Sequence, residues 1–138
     1  MGLDSNVVLC IGSNTAGRHG MGAALFAKIH YGAKYGIGRG RTGNTYCLPT
    51  KDFDIKSLPL EEIQLNIEDF IAYTKMNPDL TFIVTKVACG LAGFASHQIA
   101  PMFLDAPDNC LFDKDWAPWL PGKRFFERTA GKFKELVV

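Results

Sequence analysis

Two glycine-rich segments carry the strongest chemical signal in the chain. The first has Gly at 12, 17, 20 and 22, mixed with Ser13, Asn14 and Thr15. The second, Ala88-Cys89-Gly90-Leu91-Ala92-Gly93, is made almost wholly of small residues. Each follows an apolar run and precedes a stretch of helix formers. Bare backbone N–H groups beside a helix N-terminus attract phosphate oxygens, and glycine lets those oxygens come close. A phosphate or pyrophosphate site is therefore expected; two tight turns that need Gly only for packing are the alternative. Neither standard nucleotide fingerprint occurs. G-x-x-x-x-G-K-[ST] is absent, and Gly17-Arg18-His19-Gly20-Met21-Gly22 is spaced G-x-x-G-x-G rather than G-x-G-x-x-G. Gly36, Gly38 and Gly40 form G-x-G-x-G, but no strand-like run leads into them.

Other chemistry is thinly provided for. Cys10, Cys47, Cys89 and Cys110 stand singly, and His19, His30 and His97 show no metal-ligand spacing, so no metal site is expected. Cys10 and Cys89 lie in or beside apolar runs and read as small core residues. His30 and His97 read as structural. Arg39 and Arg41 could reach the phosphates of a nucleotide or nucleic acid; a solvated, mobile loop over residues 35–44 is the other reading.

The elements that must position these loops follow from periodicity. Val7-Val8-Leu9-Cys10-Ile11 reads as a buried central strand. Residues 23–31 read as a helix opening directly from the first glycine segment. Residues 45–48 read as a short strand stopped by Pro49. Ser57 is a plausible N-cap for a helix to about Met76, with Ile63, Ile67, Phe70, Ile71 and Thr74 on one face. Residues 80–87 are β-rich, and a short helix is expected over 96–104. Strand and helix alternate, which is an α/β order. The pattern weakens after Pro107, and residues 125–138 could form a helix.

Composition sets the outer limits. The chain has 138 residues, 47% hydrophobic, enough to bury a core in one domain. Fifteen Lys and Arg against fourteen Asp and Glu leave +1 at pH 7, too little for a protein that coats nucleic acid by bulk charge. No apolar run approaches the roughly 20 residues needed to span a bilayer. Met1-Gly2-Leu3-Asp4-Ser5 offers no basic leader region and no myristoylation motif. A soluble, cytoplasmic protein without a membrane partner is expected.

The stretch from Asn14 to Lys28, Asn-Thr-Ala-Gly-Arg-His-Gly-Met-Gly-Ala-Ala-Leu-Phe-Ala-Lys, resembles the ligand loop and following helix of macro domains. Within them it is most similar to the branch of DNA ADP-ribosyl glycohydrolase antitoxins and terminal ADP-ribose glycohydrolases. Leu48-Pro49-Thr50-Lys51 resembles a strand end of that branch, and residues 85–94 resemble its second phosphate loop, in the same order. The resemblance covers about residues 6–106 and leaves 107–138 as a C-terminal extension. It implies a three-layer α/β/α domain with a mixed sheet. Two departures stand out: Ala88 replaces the first Gly of a Gly-Cys-Gly, and Ala92 stands where the terminal glycohydrolases carry Asp.

The resemblance also implies roles. Asn14 and Thr15 would line the distal ribose, and Gly17, Gly20, Met21 and Gly22 would wrap it and the pyrophosphate. Cys89, Gly90, Leu91, Ala92 and Gly93 would clamp the other side, with Phe94 near a ribose or the adenine, or simply in the core. Thr50 and Lys51 could face the same cleft, Lys51 otherwise being a rim charge. Lys28 would be the catalytic lysine, its amine attacking C1 of an opened ribose as a Schiff base; a solvated helix-surface charge is the alternative. His19, beside the ribose, could act as acid or base, or as a loop tip bound to water. The expected function is an ADP-ribosyl hydrolase acting on modified nucleic acid or protein, without metal or cofactor. The rival is a non-catalytic reader or sponge of ADP-ribose or a related NAD-derived nucleotide. A weaker third is a phosphatase on ADP-ribose phosphate using His19. The compact size would suit a bacterial or phage protein.

Overall fold

The computed structural model describes residues 6–136. The first five residues, on which the leader and lipidation expectations fall, lie outside the described residues, as do 137 and 138 of the expected final helix. The chain forms an α/β structure around one seven-stranded mixed sheet. In chain order the strands are β1 (Val7–Asn14), β2 (Gly40–Thr42), β3 (Thr45–Lys51), β4 (Thr81–Val84), β5 (Cys110–Asp113), β6 (Arg124–Thr129) and β7 (Lys132–Glu135). Their order in the sheet is β2-β3-β1-β4-β5-β6-β7. The inner five are parallel, and β2 and β7 close the two edges antiparallel.

Strand β1 is apolar from Val7 to Ile11 because both of its faces are covered there. Val8 and Cys10 enter one core, Leu9 and Ile11 the other. The helices are α1 (Gly22–His30), α2 (Leu60–Met76) and α3 (Ser96–Ile99), the last running into a 3-10 turn, Ala100–Phe103. Helix α1 packs Ala27 on the face of Leu9 and Ile11. Helices α2 and α3 cover the opposite face. There Ile63, Ile67, Phe70, Ile71 and Thr74 are all buried, the stripe that the helical spacing marks out. Glu61 and Glu62 in the first turn of α2 and Lys75 in its last suit the helix dipole. Its N-cap is Pro59, not Ser57, whose hydroxyl instead donates to the Ala92 carbonyl at 2.7 Å.

Three expectations are corrected. Residues 35–44 are not a loose loop: 40–42 pair with β3, and 33–38 pack on the first glycine segment. Arg39 and Arg41 are engaged with α2 through Asn66 at 2.9 Å and Tyr73 at 3.2 Å. Strand β3 continues through Pro49, since β2 stops opposite Cys47 and the Pro49 carbonyl accepts from the Asn66 side chain at 3.0 Å. Residues 124–135 are a hairpin rather than a helix. Ala130 and Gly131, at φ 52° and 76°, form a two-residue turn that matches the twist of paired strands.

Residues after 107 are integral to the sheet. Strand β5 lies directly beside β4. Trp116, in the 3-10 turn Lys114–Trp119, is fully buried against Phe103 and Phe112 and donates its indole N–H to Ser96 Oγ at 3.0 Å. A buried aromatic of that size contributes on the order of 3 kcal/mol. This segment therefore supports the helix that follows the second glycine loop. No helix among the described residues is long and apolar enough to cross a membrane.

Candidate functional site

Strands β1 and β4 are neighbours, but the chain leaves them toward opposite faces, to α1 from β1 and to α3 from β4. A crevice must open between connections that diverge in this way, at the carboxyl ends of the parallel strands. It does, as a cleft of about 470 Å³. That volume is within the range of small-molecule sites. Its walls come from the ends of β1, β3 and β4, the first turn of α1, and the two glycine segments.

The first wall is Gly20, Met21, Gly22, Ala23 and Ala24. Helix α1 begins here without a side-chain cap and without an acidic residue in its first turn. The amides of a helix's first turn have no partner within the helix, so these face the cleft ready for an anion. Opposite stand Ala88, Gly90, Leu91 and Ala92. This loop is closed by the Phe94 N–H on the Ala88 carbonyl and the Gly93 N–H on the Gly90 carbonyl, both at 3.0 Å. Ala88 has φ 64°, the left-handed conformation that explains a glycine at such a position and that costs alanine about 1 to 2 kcal/mol.

Glycines on the two walls have no packing role. A Cβ added to Gly20 or to Gly90 would meet nothing within 4 Å, and neither residue has a left-handed φ. Gly17 and Gly38 differ. A Cβ on Gly17 would overlap the Gly36 backbone, and one on Gly38 would overlap the Asn14 carbonyl. Gly17, at φ 71°, also accepts from the Gly36 N–H at 2.8 Å.

The floor is polar but occupied with itself. The Asn14 side chain clasps Arg18, accepting from its N–H and donating to its carbonyl at 3.0 Å each. Ser13 donates to the Gly38 carbonyl, Thr50 to Ser13 at 3.2 Å, and Thr85 to Cys10 at 2.8 Å. The pairing of β1 with β3 slips by one residue between Ser13 and Asn14. Thr50 and Lys51 there oppose Asn14 alone, and both reach the cleft.

Three cations line the cleft: Arg18, Lys51 and Lys86. Lys86 pairs with Asp115 at 2.7 Å, and that hydrogen bond raises its pKa above the ordinary lysine value. Lys51 is in no ion pair among the described residues. Among the described residues no Asp or Glu lines the cleft, so the charge they give it favours an anion throughout.

The structure places the expected site residues unequally. Asn14, Gly20, Met21, Gly22, Thr50, Lys51, Gly90, Leu91 and Ala92 line the cleft together. Thr15 is exposed outside it, and Gly17 is buried beneath the loop. Cys89 and Phe94 pack against the α2-side core, and Gly93 serves the loop's turn at φ 85°. Burial pushes the Cys89 thiol above its usual pKa. His19 is not at a solvated tip. It is fully buried, and its Nε2 faces the Ile37 and Lys34 carbonyls at 2.9 and 3.2 Å. Two carbonyl partners require Nε2 to be the donor, so His19 ties the loop after α1 to the first glycine segment. Lys28 is also outside the cleft. Ala27 takes the buried position on α1, which turns Lys28 to solvent with its ammonium 5.1 Å from the Tyr35 ring centre.

Several wall residues carried no sequence signal. Ile55 reaches the cleft from a tight turn held by Asp52, whose carboxylate accepts from the Asp54 and Lys56 amides at 2.9 and 3.0 Å. A β-branched residue at φ 62° is strained, and nothing in its spacing marks it. Lys86 falls within residues 85–94, the segment that resembles a second phosphate loop, but nothing in its own spacing marks it as a cleft cation. Compared with known proteins, the chain matches no family model, no curated protein and no solved structure.

Proposed function

We propose that the cleft binds a nucleotide diphosphate of the ADP-ribose type, in the manner of a macro domain, and that the chain is a binder of it. One observation carries this reading most directly: Gly20 and Gly90 face a common cleft from opposite walls with nothing where their side chains would be. Glycine costs chain entropy on folding and returns nothing here in packing or turn geometry. Room for a ligand's oxygens beside bare amides is the physical reason left. An uncapped α1 and, among the described residues, three lining cations and no lining carboxylate support an anion there.

A binder is favoured over a hydrolase by what the expected catalytic groups do. Lys28 points away to Tyr35, His19 is sealed under the loop, and Ala92 supplies no acid or base. Calorimetric titration with ADP-ribose, with AMP and NAD as controls, tests the reading. Micromolar affinity that falls at least tenfold in Gly90→Val, with unchanged melting temperature, is the expected result. No heat from ADP-ribose in a folded protein would sink it.

One observation favours turnover as a second reading. Lys51 is an amine on the cleft wall with no ion-pair partner among the described residues. On this reading ADP-ribosyl hydrolysis would use Lys51, not Lys28. Its amine displaces the linked group at C1, that group leaves with one amine proton, and the ring opens to a Schiff base as its oxygen takes the other. Water then hydrolyses the Schiff base to release ADP-ribose and the free amine. Borohydride trapping of ADP-ribose on the wild type, lost in Lys51→Arg and kept in Lys28→Arg, separates it from pure binding.

A further inference from the structure

We infer that the cleft reads the diphosphate and sugar of its ligand and not the base, so that its ligand class is nucleoside diphosphate–riboses of any base. The inference rests on the cleft being the diphosphate site proposed above, and deepens it by naming what is recognised.

It follows from a census of donors. Ser13, Thr50 and Thr85 each have one hydroxyl proton, and each gives it to a backbone carbonyl of the protein itself. What they keep is acceptor capacity, which the ribose hydroxyls of any nucleotide can fill. Asn14 uses both its oxygen and its amide to hold the Arg18 backbone, and is itself 9% exposed. The side-chain donors left are those of Arg18, Lys51 and Lys86, which select negative charge and not a base edge. Among the described residues no lining Asp or Glu is present to accept from an exocyclic amine or a ring N–H.

The remaining wall is apolar: Met21, Ala24, Ile55, Val87 and Leu91. Met21 and Leu91 are 65% and 70% exposed, so two flexible hydrophobic side chains stand at the mouth. Apolar surfaces of this kind cover the flat face of any base, because every base has one. Discrimination among ligands by several thousandfold needs a fixed polar partner that the wrong ligand leaves unpaired. An open apolar wall offers no such partner, and stacking on it tolerates a change of base.

The experiment is calorimetric titration of the full chain with ADP-ribose, GDP-ribose and UDP-ribose, with adenosine as a phosphate-free control. Dissociation constants within about fivefold of one another, and no heat from adenosine, are expected. Thr85→Val, which removes the most accessible hydroxyl of the floor, should leave those ratios unchanged. A preference above twentyfold for one base overturns the inference and leaves the diphosphate site standing. So does a collapse of such a preference in Thr85→Val, which would make that hydroxyl a base reader. Absence of heat from all three diphosphates removes the parent reading, and this one with it.

Discussion

Gly17 and Gly20 stand three residues apart in one loop, yet a methyl group added to each would meet opposite surroundings. At Gly17 it would overlap the Gly36 backbone; at Gly20 it would meet nothing within 4 Å. The same contrast holds between Gly38, closed on the Asn14 carbonyl, and Gly90, open to the cleft. The left flank, residues 13–19 against 34–38, is backbone packed on backbone, pinned by His19 and Ser13. The right flank, 20–24 facing 88–92, encloses space. Glycine thus serves rigidity on one side and vacancy on the other, and the first makes the second durable. An open wall of bare amides holds its shape only if the loop beneath it cannot move.

The contrast breaks most sharply at Gly38. Gly38→Ala sets a side-chain atom against a backbone oxygen that no rotamer change can relieve, and should cost about 3 kcal/mol or more. A melting temperature lower by about 10 °C is the corresponding shift for a chain of this size. An unchanged melting curve would mean that the two segments are not zipped as described.

His19→Ala comes next. It removes a fully buried ring and the donor to two carbonyls, an expected loss of about 2 to 3 kcal/mol. Amides of residues 34–38 should exchange faster with deuterium in the variant. Affinity for ADP-ribose should fall less than threefold wherever the variant remains folded. A large loss of affinity with no loss of stability would return His19 to the ligand.

Gly90→Val inverts that pattern. Its side chain enters empty space, so the melting temperature should move by no more than about 2 °C while affinity falls at least tenfold. Equal affinity for wild type and variant would leave the open glycines unexplained.

The right flank was more legible in the sequence than the left. Glycine, small residues and a helix start are local signals, and they marked Gly20 to Gly22 and Gly90 to Ala92 as a cleft. The buried face of α2 was equally plain, since a 3.6-residue period needs no partner to be seen. Residues 35–44 read as a mobile loop because the reasons for their glycines are not local in sequence: Gly36 holds φ 94° where its backbone lies under Gly17, and Gly38 is closed on the Asn14 carbonyl, 24 residues earlier in the chain. Lys28 lies outside the cleft for a related cause. Its helix was visible, but which side of that helix faces the cleft depends on the crossing of α1 over the sheet. The final hairpin was missed because Ala130 occupies a left-handed turn position that Asn or Gly usually advertises.

Ala88 tests the second loop from the stability side. At φ 64° and 5% exposure it holds a conformation that glycine adopts freely. Ala88→Gly relieves roughly 1 to 2 kcal/mol of strain and adds about 0.5 to 1 kcal/mol of unfolded-state entropy. A net gain of about 0.5 to 1 kcal/mol is expected, seen as a melting temperature a few degrees higher, with binding retained. A lower melting temperature would show that the alanine methyl contributes more in the core than its strain costs.

The smallest effect lies at the rim. Lys86 is shared between the cleft and Asp115, which draws the ammonium outward at 2.7 Å and offsets its charge. Asp115→Asn removes the offset and lets the lysine turn inward. Both side chains are well exposed, 40% and 57%, so solvent screens the change and the gain in affinity should be only two- to threefold at low salt. Raising the ionic strength to about 0.5 M should erase it. If affinity falls instead, Asp115 is holding Lys86 at the angle the ligand needs. The C-terminal segment would then orient the cleft's charge directly, in addition to supporting the second glycine loop from behind through Trp116.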